Sequence, residues 1–141
     1  RFLVAEGEAG EAGIGLVVVK LRICGAHVLQ EREVVVEHVG MLVDQHYVNG
    51  VDVTFFGRRC KANPFIARLA RHVDCPIHGA RVVRLPDRHR FRIDLTDAIE
   101  PRRDADGKID VAGTMQVITS VVEGWVREHP EQWLWVHRRW R

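Results

Sequence analysis

The C-terminal stretch Glu128-His129-Pro130-Glu131-Gln132-Trp133-Leu134-Trp135-Val136-His137-Arg138-Arg139-Trp140-Arg141 constrains the fold more than any other. Three of the chain's four Trp fall in its last nine residues, interleaved with His and Arg. Trp133 and Trp135 alternate with Leu134, which is strand-like spacing. Arg138, Arg139 and Arg141 surround Trp140. Two readings fit this composition. In the plainer one the tail is basic and its Trp residues cap the core, since buried aromatics most often simply pack. In the other, indole and guanidinium form a rim where an apolar chain meets an anionic head group. Indole favours a wet–apolar boundary, and guanidinium grips phosphate as a fork.

The order of residues favours the second reading. His-Pro-Glu-Gln-Trp-Leu-Trp-Val-His-Arg-Arg-Trp, residues 129–140, resembles the C-terminal signature of the lipid A biosynthesis acyltransferases, the lauroyl/myristoyl transferase family. The resemblance is continuous over residues 37–141 and takes in the strand end at Asp44 and the turn Phe55-Phe56-Gly57. It implies an α/β chain: the C-terminal half of a glycerol-3-phosphate-acyltransferase-like three-layer fold, with a mixed, mainly parallel sheet and flanking helices. It also implies transfer of laurate or a similar chain from acyl carrier protein to a phosphorylated glycolipid, the lipid A precursor. The place implied is the cytoplasmic face of the inner membrane, with no cofactor. A rival from another class is a non-catalytic module that binds anionic lipid or acyl carrier protein.

Length and composition set bounds. At 141 residues the chain makes one domain, large enough to bury a core. A hydrophobic content of 46% and a charged content of 28% suit a globular chain. A net charge of +2 does not demand nucleic acid. An RNA-binding sheet would spread its stacking aromatics over an open surface, whereas the Trp residues here gather in one tail. The longest apolar run near the start, residues 14–19, falls short of the roughly 20 residues a spanning helix needs, so no anchor is expected in this chain. Because residue 1 is Arg, an internal fragment or trimmed product is expected. Cys24, Cys60 and Cys75 form no C-x-x-C and are expected to be reduced thiols.

Residues 1–36 depart from the family pattern and are expected to be an atypical or poorly ordered lead. Residues 15–19 and 33–36 are β-branched and strand-like, and residues 5–13 are small and acidic. Residues 37–141 are expected to be the acyltransferase part. Residues 39–43 form a short apolar run bounded by Asp44, expected as a buried parallel strand. Asn63-Pro64 opens a helix, with Phe65, Ile66, Leu69 and Val73 as its buried stripe. Residues 77–85 and 88–95 read as strands about a turn at Pro86-Asp87, and residues 100–110 as a polar loop. Asp110 caps a last helix of about four turns, with Met115, Ile118, Val122 and Trp125 as its core stripe. Its polar face carries Gln116, Thr119, Ser120 and Glu123, not the Lys and Arg of a membrane-surface helix.

The family's catalytic box, a His followed after four residues by Asp or Glu, lies upstream of the matched stretch. The nearest local imitation is His89 with Asp94, but residues five apart on a strand point to opposite faces. No catalytic residue is therefore expected within the chain. No pair of His or Cys has zinc-ligand spacing. Cys60 lies among Arg58, Arg59 and Lys61 and reads as a solvated turn residue without a base. The expected substrate-binding residues are Asp44 in an orienting role, Arg58, Arg81, Arg84, His137, Arg138 and Arg139. A phosphorylated sugar and an acidic carrier protein both suit Arg forks, though a solvated basic face is the common alternative for any single Arg.

Overall fold

A computed structural model describes residues 3–6, 15–20, 38–87, 89–136 and 138–140. Seven strands and two α-helices occur among them: β1 (Leu3–Glu6), β2 (Gly15–Lys20), β3 (His38–Leu42), β4 (Val51–Phe55), β5 (Arg58–Ala62), α1 (Phe65–Val73), β6 (Ile77–Arg84), β7 (Arg90–Ile99) and α2 (Val111–Glu128). A short 3-10 turn, Pro130–Gln132, follows α2.

The α/β class holds, but a mainly parallel sheet does not. The five-stranded sheet runs β1-β7-β6-β2-β3, and every ladder in it is antiparallel. The strands β4 and β5 form a second, antiparallel pair. Part of the physical reason is connection length. Residues 85–89 and Phe56-Gly57 are too short to carry a crossover, so each joins its two strands as a hairpin. The apolar run before Asp44 is a strand, β3, but it pairs antiparallel with β2. From the first 36 residues, β1 and β2 join this sheet, while residues 7–13 and 33–36 lie outside the described residues.

The β4–β5 turn sets much of the geometry below. Phe56 and Gly57 both have positive φ, 51° and 72°, as the tight hairpin turn requires. Gly takes that conformation freely, whereas Phe does so at a cost. Three contacts hold Phe56 there. Its N–H donates to Glu123 Oε2 at 2.7 Å, its ring meets Phe55 edge-on at 4.8 Å, and the Arg127 guanidinium lies 4.6 Å from its centroid.

Helix α1 begins as the sequence indicates, with Asn63 Oδ1 accepting the Phe65 N–H at 3.0 Å. Its buried face differs: Ile66, Ala67 and Ala70 are buried and Phe65 is exposed. Leu69 and Val73 of the expected stripe are partly buried and pack against the core. Asp110 caps α2 by accepting from the N–H groups of Ala112 and Gly113. Met115, Ile118, Val122 and Val126 are buried, with Trp125 partly so.

Two glutamine amides stand in for missing strand neighbours. Gln116 of α2 accepts from the Thr54 N–H at 2.7 Å and donates to the Thr54 carbonyl at 3.0 Å, covering the edge of β4. Gln132 does the same for Arg84 of β6, at 2.8 and 3.2 Å, just beyond the reach of β2. The Gln116 pair is exposed and the Gln132 pair part-buried, so their loss should differ. Gln132→Ala should cost about 2 kcal/mol and Gln116→Ala about 1 kcal/mol, because an unmade bond costs more where water cannot replace it. Urea midpoints at unchanged slope would measure this; equal costs would refute the ranking.

Candidate functional site

Phe55 is the hub on which the tail closes. It is almost wholly buried at the end of β4. Trp140 stacks on it at 5.6 Å between centroids, Trp133 lies 5.8 Å away, and Trp140 Nε1 donates to the Phe55 carbonyl at 3.1 Å. The strand-like spacing of Trp133 and Trp135 is not realised. Pro130 forces a 3-10 turn instead, which buries Trp133 and leaves Trp135 exposed. Two of the three tail indoles therefore pack against the core, as the plainer reading of the composition expected.

Arg139 enters the same core. It is 2% exposed, and its guanidinium lies 5.5 Å from the Phe55 centroid. Its Nη1 donates to the carbonyls of Gln45 and, at 3.2 Å, Lys61. Burial pushes its pKa down from the usual guanidinium value, and the neighbouring Cys60 and Asp44 act in the opposite sense. Asp44 is half-buried just after β3, beside this guanidinium. Arg139 thus ties the Asp44 segment to the end of β5. It is a core clasp, not an open rim position.

Cys60 is likewise not on a solvated turn. It is buried within β5, and burial pushes its thiol pKa up while Arg139 offsets part of the rise. A thiol so held stays protonated and is a poor nucleophile. Arg58 lies on the outer side of the hub, exposed, with its guanidinium 5.6 Å from the Trp140 centroid.

A second basic group surrounds the β6–β7 hairpin. Arg81 Nε donates to Asp94 Oδ2 at 3.1 Å, and Arg92 grips the same carboxylate with two bonds of 2.7 and 3.0 Å. Arg81 Nη1 also lies 2.6 Å from Glu128 Oε2, and its guanidinium sits 5.8 Å from the Trp125 centroid. Burial alone would raise the Asp94 pKa, but the bonds and charges of Arg92 and Arg81 outweigh it and hold the carboxyl low. The stabilisation from Asp94 is therefore full above its unfolded pKa of about 3.9 and is lost as the pH falls through the lower folded value.

Beside this network a cleft of about 610 Å³ opens, lined by Val83, Arg84, Pro86, Arg92, His129 and Glu131, with Leu85 and Gln132 also on its wall. Its walls combine apolar surface with the guanidinium groups of Arg84 and of Arg92, the latter bonded to Asp94, together with the His129 imidazole and the Glu131 carboxylate. Gln132 and Trp133 join the two groups, since Gln132 bonds Arg84 at the cleft and Trp133 packs on Phe55.

The expected binding residues therefore divide. Asp44, Arg58 and Arg139 meet at the hub, and Arg81 and Arg84 at the hairpin. Arg138 is exposed, and His137 lies outside the described residues. Arg92, His129 and Gln132 were not among the expected binding residues. Their signal was the Pro130 break, which turns the tail back under β6. His89 stands exposed beside the hairpin turn, while Asp94 takes three hydrogen bonds from Arg81 and Arg92. Among the described residues no group of three or more His, Cys, Asp or Glu converges as a metal site, and no helix is long and apolar enough to cross a membrane.

A family model described as bacterial lipid A biosynthesis acyltransferase matches residues 29–141. No curated protein and no solved structure gives a significant match to the chain.

Proposed function

Because the chain belongs to the bacterial lipid A biosynthesis acyltransferase family, we propose that it forms the acceptor-holding part of an enzyme that moves a fatty acyl chain from acyl carrier protein to a phosphorylated glycolipid, at the cytoplasmic face of the inner membrane. The family match over residues 29–141 carries this reading. The cleft beside the β6–β7 hairpin supports it, since the Arg84 guanidinium lines it beside apolar wall. Arg58, Arg84, His137 and Arg138 contact the acceptor or the acidic carrier. Asp44, Arg81 and Arg139 position the segments that carry them. The proton-abstracting group lies outside this set, because the one His–carboxylate pair near the family's spacing has its carboxylate held by two arginines.

Titration of the purified chain with a phosphorylated disaccharide lipid in detergent micelles tests the acceptor site. Arg84→Ala should weaken binding about tenfold, the size of one charge-assisted contact. Arg103→Ala, in the loop before α2, should leave it unchanged. Equal loss in both variants, or none in Arg84→Ala, would remove the cleft from the acceptor site.

A further inference from the structure

The tail exposes three consecutive apolar residues that the core does not use. Leu134 is 40% exposed, Trp135 55% and Val136 82%. They lie on the turn that follows Trp133, between the cleft residues His129, Glu131 and Gln132 and the exposed Arg138. Trp135 is fixed, not loose. Its Nε1 donates to the Pro130 carbonyl at 2.7 Å, so the ring is held with its polar edge satisfied and its apolar body uncovered. Its backbone N–H also donates to the Trp133 carbonyl at 2.9 Å.

We propose that Leu134-Trp135-Val136 is an insertion tip that enters the boundary layer of an anionic lipid bilayer, with Arg138 and Arg84 facing its phosphates. The proposal deepens the functional reading above by giving its membrane partner a docking element. Two observations choose lipid over a protein partner. Three exposed residues on a turn offer far less than the roughly 800 Å² per side of a standard protein interface. A small apolar tip carrying an indole beside guanidinium groups does suit the interfacial zone of a membrane. Of the nearby carboxylates, Glu128 is paired with Arg81 at 2.6 Å, which reduces its repulsion of lipid phosphate.

Co-sedimentation of the 141-residue chain with vesicles tests the tip. Vesicles of phosphatidylglycerol and phosphatidylethanolamine should carry the protein down, and vesicles of phosphatidylcholine alone should bind it at least tenfold less. Brominated acyl chains should quench the fluorescence of the wild type but not of Trp135→Phe, because Trp125, Trp133 and Trp140 are packed on the core. Val136→Asp should reduce the bound fraction at least tenfold with an unchanged thermal melt. Wild-type binding that Val136→Asp leaves intact, equal binding to neutral vesicles, or absence of binding would each overturn the proposal. No acyl donor or acceptor is present in this experiment. Its failure therefore removes the tip alone, whereas loss of glycolipid binding in micelles with vesicle binding intact removes the acceptor reading alone.

Discussion

Replacing Arg139 by Met should destabilise the chain by about 3 kcal/mol, a large share of the 5–15 kcal/mol typical of a domain. The Met stem can fill most of the apolar path beside Phe55. It cannot donate to Gln45 O or Lys61 O, and leaving a buried acceptor unpaired costs about 1–3 kcal/mol. The contact with the Phe55 ring is lost too, worth about 0.5–2 kcal/mol. Relief from burying a charge offsets part of this, which is why the net figure is smaller than the sum. Arg139→Lys should recover less than half, because an ammonium cannot reproduce the planar fork. Urea denaturation would measure both. A Met variant as stable as wild type would show that the guanidinium does not clasp the Asp44 segment to β5.

Gly50→Ala should cost about 3 kcal/mol or more. Gly50 precedes β4, and its N–H donates to the Tyr47 carbonyl at 2.8 Å. A Cβ there would lie 2.3 Å from the Ala62 carbonyl oxygen and 2.8 Å from that of Tyr47. Both obstacles are backbone, so relief requires moving β5 or the turn itself, beyond the usual 1–3 kcal/mol of an overpacked side chain. Gly57→Ala makes a useful contrast. Nothing crowds a Cβ there, so only its positive φ is strained and about 1 kcal/mol is expected. Similar midpoints for the two variants would refute the close approach of Gly50 to β5.

Much of this fold was legible in the sequence, and the failures have definite causes. The turn at Asn63 that leads into α1 and the Asp110 cap of α2 were readable because one side-chain oxygen and its own chain neighbours decide them, although the cap position of α1 itself falls on Pro64. The β6–β7 hairpin followed from Pro86-Asp87, where Asp87 accepts from the N–H groups of His89 and Arg90. Strand direction was not readable from periodicity. A continuous apolar run such as residues 39–43 suggests a strand buried on both faces, yet β3 is an edge strand of the described sheet with Gly40 and Leu42 exposed, and the run says nothing of which way its neighbour runs. The α1 stripe held for Ile66, Leu69 and Val73 and missed at Phe65, while Ala67 and Ala70 bury without looking apolar enough to count.

The polar face of α2 shows a further limit. Gln116 and Glu123 are spaced like solvated residues, yet both reach the backbone of the β4–β5 hairpin, 62 and 67 residues away in sequence. The site divided along the same line. The tail's composition marked Arg139 as important, but only tertiary placement separates a guanidinium buried on carbonyls from one turned outward like Arg138. Arg92, His129 and Gln132 came together because Pro130 ends one path of the chain and starts another.

The central claim is that these residues hold and position substrate while the proton is abstracted by a group outside them. Its most direct test is acyl transfer from acyl carrier protein to the phosphorylated glycolipid, catalysed by the purified 141-residue chain. The predicted result is acceptor binding without turnover above the uncatalysed background, in wild type and His89→Ala alike. Robust turnover by the chain, abolished in His89→Ala, would contradict it.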